Sequence, residues 1–489
     1  MLRALRWIAT LSGGLLLLGL FAGLVFAASA LLRIRGYHPP EDAAALARKR
    51  SYLAEIASRA GSLPKGRPNL VVILFDDLGD GDLGFMGSRA VATPRIDRLA
   101  REGAVLDHYY APAPYCTPSR AGLLTGRYPI RTGLTQVVFP KGSPIDSLER
   151  WSGRPVGLPA EEITLAEVLH AAGYATAMVG KWHLGDASPS LPNDLGFEHY
   201  LGVLYSNDMQ PLALWRNRKI VAAAPVDQTT LTARYTEEAI RFIRDVGSQP
   251  FFLYFAHSFP HIPLHASQAN AGRSDAGLYG DVVADLDDSV GAVLDALAAQ
   301  GHSRDTLVIV TSDNGPWFQG SARGNRGRKN DTFEGGMRVP FAARWPGRIP
   351  PGTRSSELAI GMDVFSTGLA LARVPPPEDR RIDGRDLLPL LADGASSAHD
   401  TLYYYSDRDL QALRSRRFKL HDRHGVFGGA PWSWPIAPLM PRGPWLFDLQ
   451  QDPDESYDVH ARYPERFTEL QARMAAWERA LAANPRGWR

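Results

Sequence analysis

The chain has 489 residues, of which 45% are hydrophobic and 22% are charged, values typical of globular proteins that exclude a disordered chain. Its 54 basic and 52 acidic residues nearly balance, and a net charge of +2 gives no reason to expect nucleic acid as a partner. The chain has one cysteine, Cys116, which excludes an intramolecular disulfide.

The first part of the chain carries an uncharged apolar run, from Trp7 to Leu32, with arginines on both sides. As a helix this run would exceed the ~30 Å hydrocarbon core of a bilayer. Two interpretations stay open for residues 1–35, an uncleaved membrane anchor and a signal peptide cleaved near Ala28-Ser29-Ala30. The length of the run favours the anchor, because the apolar region of a cleaved signal usually has ~7–15 residues. Both predict an exported protein, on the periplasmic or extracellular side.

Residues 36–67 are polar and are predicted to be helical from Glu41 to Ala60, before an end rich in Gly, Pro and Lys. We expect them to form a tether between the membrane and a folded domain.

Residues 68–375 alternate between strand and helix patterns. The apolar, β-branched run Asn69–Phe75 is typical of a strand buried on both faces. Similar runs follow at 175–179, 251–255 and 306–312. Segments with helical periodicity lie at 96–102, 163–172, 233–246 and 279–299. This alternation predicts an α/β domain whose large, mixed, mainly parallel sheet is sandwiched by helices.

The pattern changes after the proline-rich stretch at 374–377. Strands are predicted at 401–406 and 416–421, which are expected to pair, and at 445–449, before a helix at 464–483. Residues 376–489 therefore predict a smaller α+β subdomain with an antiparallel sheet. Three tryptophans cluster in this part, and they either pack normally or stack on a sugar or aryl ring; they are Trp432, Trp434 and Trp445.

Oxygen-bearing side chains follow two of the predicted strands. Asp76 and Asp77 come directly after the first strand, and Asp313 and Asn314 come after the strand at 306–312. Because the carboxyl ends of parallel strands form the ligand-binding edge of a sheet, we expect the four side chains to meet there. An all-oxygen set suits Ca²⁺, or Mg²⁺ with waters, better than Zn²⁺. For the aspartate pair alone, a turn that closes the strand is an equally good interpretation.

Two further motifs fit patterns of known ligand sites, but we predict neither a dinucleotide nor a zinc ion there. Residues 79–84 fit the G-x-G-x-x-G pattern of dinucleotide sites, but four aspartates crowd this turn and would repel a pyrophosphate. His257 and His261 have the spacing of a helical zinc pair, but Pro260 and Pro263 break any helix there.

Cys116 lies at the start of a predicted helix, with Thr117 as its N-cap, Pro118 as its first residue and Gly126 as the residue that ends it. The free N–H groups at such a helix start attract anions, and Arg120 adds a fixed positive charge. The segment predicts a reactive group in an anion-binding pocket. A buried structural cysteine is the alternative.

The run Cys-x-Pro-Ser-Arg-Ala at 116–121, followed by Leu-Leu-Thr-Gly-Arg at 123–127, is similar to the signature of the formylglycine-dependent sulfatases, in the alkaline phosphatase superfamily. The chain resembles arylsulfatases and N-acetylgalactosamine-6-sulfatases most, along most of its length after residue 68. The resemblance implies that a maturation enzyme oxidises Cys116 to formylglycine, whose hydrate attacks the sulfur of a sulfate monoester. The second hydroxyl of the hydrate would then expel sulfate and restore the aldehyde.

The resemblance also implies the ligands of a cation and the groups that hold the hydrate. A calcium ion would be bound by the strand-end residues, with the modified Cys116 close to it; these residues are Asp76, Asp77, Asp313 and Asn314. Arg120 and His183 would hold the hydrated aldehyde.

Three residues would contact the sulfate group by the same resemblance. Lys181 lies with His183 in the segment Gly-Lys-Trp-His-Leu-Gly at 180–185, and His261 lies in Phe-Pro-His-Ile-Pro at 259–263. Lys329 precedes Thr-Phe-Glu-Gly-Gly at 332–336, within a basic run that taken alone is typical of a solvated surface. His261 or Lys329 would protonate the leaving alcohol.

Two other functions remain open from the sequence. A phosphoryl or phosphonate ester hydrolase of the same superfamily would use a similar set of cations, because phosphate and sulfate esters have similar shapes. A membrane-tethered binding protein that is never matured would keep the same oxyanion pocket without activity.

Overall fold

Two β-sheets organise the protein, whose computed structural model describes residues 21, 25, 28–422 and 443–489. Ten strands form the first sheet: β1 Asn69–Phe75, β2 Ala104–Tyr110, β3 Ala175–Lys181, β4 His199–Val203, β5 Leu214–Arg216, β6 Lys219–Ala222, β7 Phe251–Ala256, β8 Thr306–Ser312, β9 Phe341–Arg344 and β10 Thr353–Ile360. Their spatial order is β10-β2-β9-β8-β1-β7-β3-β4-β5-β6.

The centre of this sheet is parallel. β8, β1, β7, β3 and β4 are neighbours that run in one direction, and antiparallel pairing begins on one side at β9 and on the other at β5. Every residue of β1 is buried, because its side chains alternate between two core clusters: Val72 packs into one and Val71 into the other. The prediction of a mainly parallel sheet covered on both faces is confirmed.

Helices cover the two faces of the sheet. Within the described part of the chain before residue 400, α-helices span Ala43–Arg59, Pro94–Arg101, Cys116–Thr125, Pro129–Thr132, Pro144–Ser152, Leu165–Ala171, Leu231–Asp245, Gly277–Ala299, Glu334–Met337, Asp363–Ala372 and Leu388–Ala392. The Gly277–Ala299 helix buries one stripe, including Val282, Leu286 and Val290, in the core on its side of the sheet. The predicted helices at 96–102, 163–172, 233–246 and 279–299 are all present within about two residues.

The helix predicted at 41–60 spans Ala43–Arg59 and packs against the large domain. Asp42 caps the helix by accepting a hydrogen bond from the N–H of Ala45 at 2.9 Å. The buried Lys49 places its Nζ 2.6 Å from Glu167 Oε1, and it also donates to two backbone carbonyls of the domain. Ile56 of the same helix is buried in the core of the domain, with Tyr52 and Leu53 packed beside it.

Two sequence predictions lie largely or wholly outside the described residues. Of the apolar run from Trp7 to Leu32, the structure describes only 21, 25 and 28–32, and Trp432 and Trp434 are not described. No helix within the described ranges is long and apolar enough to cross a membrane.

The second sheet has four antiparallel strands, β11 Thr401–Ser406, β12 Asp409–Ser415, β13 Phe418–His421 and β14 Trp445–Asp448, and it packs against the helix Pro464–Ala483. The predicted pairing of 401–406 with 416–421 is wrong, because β12 lies between them. β12 has no β-branched residue and carries Arg414, which is buried against Tyr110 of the first sheet. Because Arg414 is buried by a residue far away in the chain, the local sequence of β12 does not indicate a strand.

A buried ion cluster joins the second sheet to the first domain. Lys419 of β13 is fully buried and places its Nζ 3.1 Å from Glu334 Oε1 and 2.9 Å from Glu455 Oε1. Burial raises the pKa of Glu455 to about 7. For Glu334 burial acts in the same direction, but the charges of Lys419 and Arg414 outweigh it and lower the pKa to about 2.

The variant Lys419→Met is expected to lower the free energy of unfolding by about 3–5 kcal/mol, because it leaves two buried carboxylates without their shared cation. Urea denaturation followed by tryptophan fluorescence measures the change. As a control, Lys219→Met at an exposed position of β6 should change the free energy by less than about 0.5 kcal/mol. Equal midpoints for the two variants would contradict a structural role for the cluster.

Candidate active site

The polar residues predicted at strand ends meet at the carboxyl edge of the parallel sheet. Asp76 and Asp77 follow β1, and Asp313 and Asn314 follow β8, which pairs directly with β1. Asn314 Nδ2 donates to Asp77 Oδ1 at 2.7 Å, and the N–H of Asp77 donates to Asp313 Oδ1 at 3.2 Å. Asp77 has a left-handed φ of 66°, and both Asp76 and Asp77 contribute a carboxylate oxygen to one cluster.

This edge holds a cluster of buried acidic groups whose chemistry fits a cation. One ligand atom from each of Asp76, Asp77, Cys116 and Asp313 lies within 4.8 Å of the others. Burial, and then the charge of Asp76, raises the pKa of Asp313 to about 6. Asn314 Oδ1 is buried and has no hydrogen-bond partner in the described chain. Crowded carboxylates and an unsatisfied carbonyl oxygen are the groups that a divalent cation would stabilise.

Cys116 is the first residue of the helix Cys116–Thr125, whose N-cap is Tyr115. The predicted cap, Thr117, is therefore wrong: its hydroxyl donates to the carbonyl of His183 at 2.9 Å and accepts from the N–H of Val138 at 3.2 Å. Gly126 ends the helix in a left-handed conformation, as expected. Because the cap position moves back by two residues, Cys116 lies within the first turn, next to the free N–H groups.

The thiol of Cys116 is buried and protonated. It donates to Asp76 Oδ1 at 3.3 Å. Burial, and then the negative charge of Asp76, raises the pKa of the thiol well above its ordinary value. A thiol in this state is a poor nucleophile, since the thiolate is the reactive form.

Arg120 is a fully buried cation one turn into the same helix. Its Nε donates to Asp313 Oδ2 at 2.9 Å, and its Nη1 donates to the carbonyl of Lys181 at 2.6 Å. The guanidinium therefore ties the helix start to the ends of β8 and β3.

Two lysines complete the positive side of the site. Lys181, the last residue of β3, places its Nζ 2.5 Å from Asp76 Oδ2. Lys329 places its Nζ 2.9 Å from Asp77 Oδ2, and only 12% of its side chain is exposed. The basic run taken alone is typical of a solvated surface. This interpretation is wrong for Lys329 but correct for Arg323, whose side chain is 40% exposed.

The two predicted histidines flank the cluster. His183 is buried with Nε2 3.1 Å from the carbonyl of Val138; burial, and then the charge of Lys181, lowers its pKa well below the ordinary value. His261 Nε2 lies 3.7 Å from Asp77 Oδ2, and burial, then Lys329, lowers its pKa. His257 lies outside this group, packed against the rings of Phe75 and Phe255.

Comparison with known proteins identifies the arrangement. The family model described as Sulfatase matches residues 68–374. The chain belongs to the sulfatase family. Two further models match the later part, the C-terminal region of N-sulphoglucosamine sulphohydrolase at 328–421 and that of aryl-sulfatase at 397–487. The protein is thus a sulfuric ester hydrolase, an enzyme that cleaves sulfate esters.

Relatives cover most of this sulfatase. N-acetylgalactosamine-6-sulfatase from Sus scrofa is 38% identical over 405 residues, which are 78% of this chain and 77% of the relative. Arylsulfatase A from Homo sapiens is 37% identical over 447 residues, 83% of this chain and 85% of the relative. A Pseudoalteromonas sulfatase of known structure superposes with a TM-score of 0.75 at 28% identity and covers 91% of this chain and 96% of its own.

Sequence reasoning missed two side chains of this sulfatase's site, Ser206 and Asn207. Ser206 Oγ accepts from Lys181 Nζ at 3.1 Å, and Asn207 Oδ1 lies 2.9 Å from His261 Nδ1. Both follow β4, a five-residue strand that contains a glycine and gave no strand pattern. The available signal was the polar run Ser-Asn-Asp after Val203.

The glycine-rich loop at 79–84 is closed on itself. Asp82 Oδ2 accepts from the N–H of Gly79 at 2.7 Å and from the Tyr279 hydroxyl at 2.6 Å, and Asp82 Oδ1 accepts from the N–H of Ser321 at 2.8 Å. The N–H of Gly79 is therefore not free for a phosphate group, which agrees with the prediction that this loop binds no dinucleotide.

Proposed function

We propose that this sulfatase hydrolyses aryl or carbohydrate sulfate monoesters, with a formylglycine made from Cys116 as nucleophile and a divalent cation beside it. The observation that carries the proposal is the position of Cys116 Sγ, 3.3 Å from Asp76 in a buried cluster of three carboxylates. The catalytic domain would span 68–375 and the subdomain 376–489.

The proposed cation ligands are Asp76, Asp77, Asp313 and Asn314, with the modified Cys116 next to them. Their hard oxygen atoms suit Ca²⁺, or Mg²⁺ with waters, and Ca²⁺ is the proposed ion on the resemblance to the sulfatases. When bound, the cation would polarise sulfate oxygens and offset their charge.

Conversion of the Cys116 side chain by a maturation enzyme is part of the proposal, because a sulfate adduct of the unmodified thiol would lack the second hydroxyl that release of sulfate needs. A formylglycine hydrate would supply a hydroxyl for attack and a second hydroxyl for release of sulfate. Arg120 and His183 are the proposed groups that hold the hydrate.

The sulfate group would lie among cations of the chain. Lys181 and Lys329, now paired with Asp76 and Asp77, would contact its oxygens and stabilise the charge that develops in the transition state. His261, at the edge of the site, and Lys329 are the proposed proton donors to the leaving alcohol.

We also propose that the enzyme is exported and held at the membrane by residues 7–32. The uncharged run between arginines supports this localisation.

A matched pair of substrates tests the reaction. We expect the purified enzyme to hydrolyse an aryl sulfate with a kcat/KM at least about tenfold above that for the aryl phosphate with the same leaving group. The reverse ranking would assign the site to phosphate esters, and no turnover of either would favour a binding protein.

Removal of the cation is expected to lower both activity and stability. After dialysis against EDTA, the free energy of unfolding should rise by about 2.7 kcal/mol when Ca²⁺ is restored to a hundredfold excess over its Kd. Calorimetry measures this shift, and Asp77→Asn serves as the matched variant that should lose most of it. A wild-type enzyme whose melting temperature does not change when Ca²⁺ or Mg²⁺ is added would contradict the proposed metal site.

A further inference from the structure

Asn207 is a fully buried residue of the loop that follows β4, and its side-chain amide contacts His261. It does not touch the acidic cluster directly. Its contacts determine the chemical state of a histidine that does, and the inference drawn from them rests on the proposed function.

The orientation of the Asn207 amide follows from its neighbours. Its Nδ2 lies 2.9 Å from the carbonyl oxygen of Pro263 and 3.0 Å from Gln228 Oε1. A backbone carbonyl can only accept, so the atom that faces it is the nitrogen. The Gln228 amide is oriented in turn, since its Nε2 donates to the backbone carbonyl of Asn207 at 3.0 Å. The oxygen Oδ1 of Asn207 is therefore the atom that faces His261.

This orientation sets the tautomer of the imidazole. His261 Nδ1 lies 2.9 Å from Asn207 Oδ1 and 2.5 Å from the carbonyl of Ile262, and both oxygens are acceptors. Nδ1 must therefore carry the hydrogen. A neutral imidazole has one N–H, so Nε2 carries the free lone pair. Nε2 is the ring nitrogen near the cluster, 3.7 Å from Asp77 Oδ2.

The contact between Ser206 and His261 does not determine the tautomer of the imidazole. Its hydroxyl lies at nearly equal distances from the two ring nitrogens, 3.4 Å from Nδ1 and 3.3 Å from Nε2. A hydroxyl can donate or accept, so this contact is compatible with either tautomer and with a rotated ring. The two acceptors at Nδ1 distinguish them, and Asn207 Oδ1 is the one that belongs to a side chain.

We propose that Asn207, held by Gln228 and the Pro263 carbonyl, is a positioning residue that keeps His261 protonated at Nδ1 and presents Nε2 to the sulfate ester. When His261 acts as the proton donor of the proposed function, the proton that it gives to the oxygen of the leaving alcohol leaves from Nε2 as the sulfur–oxygen bond breaks, and the neutral Nδ1–H ring remains. The Nδ1–H bond to Asn207 is kept throughout. Without Asn207, Nδ1 keeps only the Ile262 carbonyl as an acceptor, and the side-chain contact that helps to hold the orientation of the ring is lost.

A double-mutant cycle on an aryl sulfate tests the proposal. Asn207→Ala is expected to lower kcat by about 10–100-fold, as for other residues that orient a functional histidine, while KM changes by less than about threefold. In the His261→Ala background the same substitution should lower kcat by less than about twofold, because its effect passes through the imidazole. Rates are expressed per mole of modified Cys116, determined by mass spectrometry.

Two further variants keep the cycle interpretable. Asn270→Ala, at a buried amide that binds Asp285 and Asp288, should leave kcat within about twofold and controls for loss of a buried amide. If Asn207→Ala does not fold, Gln228→Ala replaces it in the cycle, with an expected fall in kcat of about 3–10-fold from the lost hydrogen bonds.

Unchanged kcat in Asn207→Ala, or losses that multiply in the double variant, would overturn the role of Asn207. In both cases an active wild-type enzyme leaves the proposed function intact. A wild-type enzyme that does not cleave the aryl sulfate would instead remove the proposed function, and this inference with it.

Discussion

Cys116→Ala is expected to lower kcat for an aryl sulfate by at least about 10⁴-fold, as removal of a nucleophile does in enzymes that form covalent intermediates. The physical reason is that the two hydroxyls next to Cys116 in its own helix are already bound to backbone carbonyls. Ser119, three residues further on, donates its hydroxyl to the carbonyl of Asp313, and the hydroxyl of Thr117 is bound to His183. Initial rates under saturating substrate measure the loss.

The thermal midpoint of Cys116→Ala controls for folding. The substitution removes one buried sulfur atom, so we expect a loss of only about 1 kcal/mol in the free energy of unfolding. A folded variant that keeps more than about a tenth of the wild-type kcat would assign the attack to another group.

Arg120→Met is expected to lower the free energy of unfolding by about 3–5 kcal/mol and kcat by about 10²–10³-fold. Methionine fills a similar volume but leaves Asp313 without the guanidinium that donates to it at 2.9 Å. It also removes the bond to the carbonyl of Lys181, which fixes the end of β3. Urea denaturation and steady-state kinetics measure the two effects.

Arg348→Met is the matched control for this variant, because Arg348 is exposed and its guanidinium lies over the Trp345 ring rather than beside a carboxylate. It should change stability by less than about 0.5 kcal/mol and leave kcat unaltered. If Arg120→Met were as stable as this control, the buried carboxylate of Asp313 would not need Arg120 for its stabilisation.

The core of the fold could be predicted because its strands are buried on both faces. β1 and β8 are continuous apolar runs, and their predicted bounds match the structure. β2 was missed because Asp107 and His108 interrupt its pattern, at positions that are only half buried near the sheet edge. The exposed half of β10 likewise gives no apolar run.

The site could be predicted where residues follow a recognisable strand or belong to a long motif. Asp76 and Asp313 come at the ends of predicted strands, so sequence reasoning placed them at one edge. The pairing of Lys181 with Asp76 joins residues more than a hundred positions apart and becomes visible only in the fold. The same holds for Thr117, whose hydroxyl forms tertiary bonds instead of capping its helix, and for Asn207.

The mass of the tryptic peptide that contains Cys116, from enzyme purified from its native host, tests whether this cysteine becomes the formylglycine nucleophile. We expect a peptide lighter than the cysteine form, with an aldehyde that reacts with a hydrazide, and a fraction of this form that rises in proportion to sulfatase activity across preparations. A fully active enzyme in which every copy of the peptide carries an unmodified thiol would contradict it.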